Sequence, residues 1–169
     1  MSSLTRLMFA MSIALLPGFA LGHDYMLGDL HVEHPFARAT PATAMAGAGY
    51  LSILNSGAAD DRLIAIEADF PRVMMHDSKV VDGVASMLAL DGVAIPAGQT
   101  VTFAPGGLHV MFMGLNGDPL EAGEDVPATL VFEKAGRLDV VFKVEDADAA
   151  MDHGTMDHGT MDHGASAKP

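Results

Sequence analysis

The chain has 169 residues, with 9 Lys and Arg against 22 Asp and Glu, 13 Met and no Cys. A formal charge of −13 repels phosphate backbones and anionic lipid, which sets nucleic acid and membrane surfaces aside as partners. The lack of cysteine excludes a thiol nucleophile, a Cys-x-x-Cys redox pair, a zinc–thiolate site and a blue-copper centre, all of which need the thiolate.

Residues 1–22 read as a secretory signal peptide. Arg6 supplies the positive start, Leu7 to Leu16 the apolar stretch, and Gly18, Ala20 and Gly22 the small residues of a cleavage site. Cleavage after Ala20 or after Gly22 satisfies the small-x-small rule. Ten residues are too few to span a bilayer, no other stretch is long and apolar enough, and no cysteine stands near the cut to carry a lipid anchor. The expected mature protein is exported, not membrane-inserted, and monomeric. Without Arg6 its charge is 8 Lys and Arg against 22 Asp and Glu, or −14.

Residues 23–145 read as one domain with a single ordinary core. Short apolar or alternating runs predict strands at Leu30–Glu33, Gly49–Leu54, Arg62–Glu67, Arg72–Asp77, Val84–Leu90, Thr100–Phe103, His109–Met113, Ala128–Glu133 and Leu138–Val144. Asn55-Ser56-Gly57, Asp82-Gly83, Pro105-Gly106-Gly107 and Asn116-Gly117-Asp118-Pro119 break the chain between them. Many short strands with turn signals at that spacing predict an all-β fold, an antiparallel β-sandwich or small barrel.

Residues 146–169 differ in composition. Met-Asp-His-Gly-Thr recurs with a period of five, starting at Met151, Met156 and Met161. Such a stretch cannot bury enough apolar surface to offset its chain entropy, so it reads as a disordered tail. Met151, His153, Met156, His158, Met161 and His163 make it a candidate metal-binding segment for Cu(I) or Cu(II), with zinc and nickel as alternatives.

Within the domain, His76, Met87, His109 and Met111 form the main candidate site. His109 and Met111, at i and i+2 of one predicted strand, leave the same sheet face. His76 and Met87 flank the Asp82-Gly83 turn signal. A four-residue loop, Val80–Gly83, sets them directly opposite. A two-residue turn pairs His76 with Ala89 and leaves Met87 a diagonal neighbour on the same face. Two thioethers and two imidazoles make a soft set that selects Cu(I) over harder divalent ions. Met74 and Met75 fall on alternating faces, so at least one is core. Met113 shares the face of His109 and Met111 and reads as core packing or as a spare thioether.

The spacing His76-x10-Met87-x21-His109-x-Met111 resembles the copper motif of the periplasmic PCu(A)C copper chaperones. Collinear blocks extend the likeness along the chain. Among them are His34-Pro35-Phe36-Ala37-Arg38-Ala39-Thr40-Pro41, Ala48-Gly49-Tyr50-Leu51, Pro105-Gly106-Gly107-Leu108-His109-Val110-Met111 and Phe132-Glu133-Lys134-Ala135-Gly136. The resemblance implies a cupredoxin-like β-sandwich with an open Cu(I) site. It also implies delivery of copper toward cytochrome c oxidase, to an oxidase subunit or beside a Sco-type partner. The chain departs from the family pattern at Asp77, where Met is frequent, at Leu88-Ala89, where Arg-Pro is frequent, and at Phe36, where Trp is usual. None of these removes a ligand.

Two functions compete. A chaperone passes Cu(I) by ligand exchange to an apo-copper protein, and the fixed four-ligand set favours it. A periplasmic buffer or resistance protein stores metal with no specific acceptor, and the repeated tail favours that. A metal-free adhesion or ligand-binding sandwich would need the motif to be accidental. No nucleophile–base pair or open metal triad appears, so the protein does not read as an enzyme. His34 reads as a structural histidine near a strand end. At the mature N-terminus, either cut exposes an amine close to His23, a further candidate Cu(II) site.

Overall fold

The computed structural model describes residues 24–81 and 83–146. The leader, His23 and the tail repeats lie outside the described residues. Every regular element among those residues is a strand. They are β1 Tyr25–Leu27, β2 Leu30–Arg38, β3 Ala46–Asn55, β4 Asp61–Ala68, β5 Arg72–Val81, β6 Val84–Leu90, β7 Val93–Ile95, β8 Thr100–Phe103, β9 Leu108–Met113, β10 Asp125–Phe132 and β11 Gly136–Glu145.

The strands form one continuous sheet in the order β6-β5-β9-β3-β2-β11-β10-β4-β7, with β1 added to β2 and β8 to β3. The sheet folds over itself into a barrel-like sandwich, the all-β class that the turn spacing predicts. All pairings are antiparallel except β2 with β11, where Phe36, Ala37 and Arg38 run alongside Lys143, Val144 and Glu145. That parallel seam joins the half that carries β5 and β9 to the half that carries β10 and β4.

Alternation decides what lies between the halves. Val110 and Phe112 of β9, Leu51 and Ile53 of β3, and Val140 and Phe142 of β11 are buried together. Phe112 meets Phe142 edge-on at 5.4 Å between ring centroids and Phe70 at 5.0 Å. Gly49 lies above these rings, and a Cβ there would stand 2.7 Å from the Phe112 ring and 3.2 Å from that of Phe142. Glycine lets β3 approach closely enough to pair Gly49 with Val110. The one buried amide side chain among the described residues, Asn55, ties loops to the core. It donates to the carbonyls of Ala59 and Ile95 at 2.9 and 3.0 Å and accepts from the Gly57 amide at 3.0 Å.

Observed strands differ from the predicted ones mainly at their ends. β2 continues through His34-Pro35, which a pattern reading treats as a stop. A register shift between Glu33 and Phe36 absorbs the proline, and His34 takes a positive φ of 47° within it. β1 and β7 leave no signal in the sequence, because three residues are too short to show alternation.

Because Phe112 anchors β9, Gly49→Ala is expected to destabilise the fold by about 1–3 kcal/mol through overpacking. Urea denaturation checks this, with a lower midpoint at unchanged slope as the expected result.

Candidate metal centre

The β5–β6 hairpin closes through a two-residue turn, Val81 pairing with Val84, and Gly83 has a φ of 78°. A positive φ at Gly83 suits the tight turn that this pairing requires. Of the two registers open to the sequence, the chain adopts the second: His76 pairs with Ala89 and Ser78 with Met87. Met87 is therefore the diagonal neighbour of His76 on one face. Such neighbours lie about 7–8 Å apart, a span that an imidazole and a flexible thioether bridge with an ion between them.

On the other side of β5, the pairing with β9 sets His76 directly opposite His109 and Met74 directly opposite Met111. The two imidazoles stack with centroids 5.7 Å apart and planes 24° from parallel. His109 is buried, His76 and Met111 are half-buried, and Met87 is 58% exposed on the edge strand β6. The structure thus brings His76, His109 and Met111 together on one face and adds Met87 from the rim.

The two histidines are held differently. Pro105-Gly106-Gly107 makes the turn into β9, with the Gly107 amide bonded to the Ala104 carbonyl at 3.1 Å and Gly106 at a φ of 84°. The Gly107 carbonyl then accepts two bonds, from the Ser78 amide at 3.1 Å and from His109 Nδ1 at 2.9 Å. A carbonyl can only accept, so Nδ1 carries the proton and the Nε2 lone pair of His109 is left for a ligand. His76 Nδ1 is buried without a hydrogen-bond partner. A polar atom in that state costs stability unless something binds it.

Burial, and after it the neighbouring His109, lowers the pKa of His76 below the usual histidine value of 6.5. Both causes disfavour the charged ring. The imidazole therefore stays neutral, and able to ligate, at a pH where a free histidine is already protonated. Between the two values the unfolded chain binds more protons than the folded one, so this group's contribution to stability falls as pH falls through that window.

Among the described residues no three His, Asp or Glu side chains gather as a metal-holding group, so a metal held there has to draw on thioethers. Asp77 stays out of the ligand set. It follows His76 on β5 and so faces the other way, paired with Lys79 at 2.9 Å. His34 ion-pairs with Glu145 at 3.0 Å when protonated and packs on Phe36 at 4.9 Å, the structural role that the sequence suggests. A wide depression over β4, β10 and β11, lined by Tyr25, Glu67, Thr129 and Asp139, carries no soft donor. Sequence reasoning missed the direct opposition of the histidines and the Gly107 carbonyl behind His109. The first depends on a pairing between strands remote in sequence. The second was signalled only by the Gly-Gly turn.

In the metal-free protein the His76 ring is expected to titrate below 6.5, and His109→Gln to raise that midpoint only part of the way, since burial is the larger cause. NMR of the imidazole C–H resonances measures both. A midpoint at or above 6.5 in the wild type would contradict the geometry.

The family described as "Putative lipoprotein LpqE-like" matches residues 30–144. A curated relative, "Putative lipoprotein Lxx21020" from Leifsonia xyli subsp. xyli, is 38% identical over 82 residues. That alignment takes in 48% of this chain and 49% of the relative, so the chain spans about half the length of the curated relative it matches. The apo PCuAC domain of PmoF2 is 33% identical, with a TM-score of 0.62 over 75% of this chain and 98% of that domain. The copper-bound PCuAC domain from PmoF2 is also 33% identical, with a TM-score of 0.59 over 73% and 98%. Apo-DR1885 from Deinococcus radiodurans is 26% identical, with a TM-score of 0.56 over 85% and 97%. With nearly the whole of these domains covered and residues 30–144 matched by one family, the chain belongs to the PCuAC family, the one described as LpqE-like.

Proposed function

We propose that the protein binds one Cu(I) through His76, Met87, His109 and Met111 and hands it to another protein outside the cytoplasm. The observation that carries this reading is the histidine pair. Two imidazoles face each other across β5 and β9, one with Nε2 left bare by the Gly107 bond and the other with a buried, unpartnered Nδ1. Met111 adjoins the pair on one side and Met87 on the other. Two neutral nitrogens and two neutral sulfurs suit a monovalent soft ion and offer little to a hard divalent one. A relative in the same family, the PmoF2 domain, is known in a copper-bound form, which supports copper as the metal.

Exposure favours transfer over storage at this site. Met87 sits on an edge strand whose opposite face carries the exposed Val84 and Leu88, and β6 has no charged residue along its length. Natural edge strands are commonly guarded by charge. An unguarded apolar edge next to a ligand offers a surface on which an acceptor can rest briefly while its own ligands replace those of the donor. Following the family resemblance, the acceptor is an apo-copper protein of cytochrome c oxidase assembly, an oxidase subunit or a Sco-type protein. Export to the periplasm agrees with the leader in residues 1–22 and with the lipoprotein descriptions of the relatives.

The buffer or resistance role is the second reading, favoured by the Met and His repeats from Met151 to His163. Cu(II) at the tail or at a mature N-terminus near His23 belongs to that reading. No step in it calls for catalysis.

Met111→Ala is expected to weaken Cu(I) binding by on the order of 100-fold, at least as much as the loss of an outer-shell partner. Anaerobic competition with a Cu(I) chelator measures this, and unchanged affinity would remove Met111 from the site.

Deleting residues 146–169 is expected to lower the number of copper ions bound while leaving transfer of the core Cu(I) to an apo-acceptor intact. If transfer disappears with the tail, or never exceeds the rate of spontaneous release, the buffer reading takes its place.

A further inference from the structure

Beyond the histidine pair, β5 and β9 carry a second group of soft donors. Met74 pairs directly with Met111, and Met113 pairs with Arg72, which makes Met113 the diagonal neighbour of Met74. Met111 and Met113 are also i and i+2 on one strand, so all three side chains leave the same face.

These methionines are not core packing. The alternate residues on the same strands, Met75, Val110 and Phe112, belong to the core cluster, and Val73 packs against it. Among the described residues that cluster takes in none of Met74, Met111 and Met113, all of which are half-buried. On the far side of β9, Met111 and Met113 pair with Ala48 and Ala46 of β3, whose short side chains add little cover. Arg72, exposed, marks the end of the row.

We propose that Met74, Met111 and Met113 form a second Cu(I) position, made of three thioethers, which adjoins the His/Met position and shares Met111 with it. This rests on the copper reading above. Three neutral sulfurs select a soft monovalent ion, and with no imidazole or carboxylate among them a hard divalent ion has nothing to bind. The shared Met111 lets one ion pass between positions by ligand exchange. The bonds to His76, His109 and Met87 break as those to Met74 and Met113 form, with no change of oxidation state and no proton released by the thioethers.

The test is an anaerobic titration of the full-length protein, labelled with 13C at its methionine methyls, with Ag(I) as a redox-inert stand-in for Cu(I). Methyl resonances are assigned through bonds. The expected result is that Met87 and Met111 shift in one step and that Met74 and Met113 shift in a separate, later step. In Met74→Leu/Met113→Leu the later step is lost at Met111, while the shifts of Met87 and of the His76 and His109 rings remain. In His76→Ala/His109→Ala the Met74 and Met113 shifts persist. Met74 and Met113 methyls that never move, or that move only together with Met87, would overturn the second position, and the wild-type titration alone decides this if a variant fails to fold. Motionless His76, His109 and Met87 beside shifting Met74 and Met113 would support the three-thioether position and overturn the His/Met reading instead.

Discussion

The opposition of His76 and His109 is the constraint on which the rest of the site depends. It exists because β5 and β9 pair in one register, and side chains on a strand have a period of two. The same register that turns Met75, Val110 and Phe112 inward turns Met74, His76, His109 and Met111 outward. A slip of one residue would expose the core and turn the proposed ligands inward, so the apolar core and the proposed donor set enforce each other. Phe112, wedged under Gly49 and against Phe142, and the Gly107 carbonyl, which holds both the Ser78 amide and the His109 ring, fix the two ends of this register.

Electrostatics follow from that placement. His76, partly withdrawn from water and stacked at 5.7 Å on His109, resists protonation: burial first and the neighbouring ring second lower its pKa. The donors around them are thioethers, which add no charge and do not titrate. The acidic surface of the chain, −13 overall, raises the local concentration of cations without placing a carboxylate in the donor set. Asp77 illustrates the separation: one residue from His76, it is paired with Lys79 on the other face.

Much of this was legible in the sequence, and the limits are physical. Turn residues and alternation located nine of the strands, and β6 and β8 have the ends expected from pattern alone. The Asp82-Gly83 turn narrowed the place of Met87 to two registers, and the hairpin adopts one of them. What pattern could not supply was the pairing of β5 with β9, because strands separated by about thirty residues leave no local mark of their neighbourhood. The roles of the methionines were hidden for the same reason. Met74 and Met75 have the same composition signal, yet one lies opposite Met111 and the other is sealed in the core. His34-Pro35 misled in the opposite sense: a proline that normally ends a strand is carried inside one by a bulge.

Among the proposed ligands, exposure rises across the site in a fixed direction. His109 is buried and braced by a backbone carbonyl, His76 is half-buried between β6 and β9, and Met87 stands exposed on an edge strand. A site built for permanent retention would enclose its last ligand, because an open one invites exchange. Here the most exposed of the proposed ligands is also a flexible thioether with no hydrogen bond to hold it, on an edge strand whose other face carries the exposed, apolar Val84 and Leu88. Under the copper reading an incoming ligand would reach the ion where Met87 meets it, while His109 would be the last to let go. The rigid half of the site would then supply selectivity and the exposed half release, a division that follows from where the sheet ends.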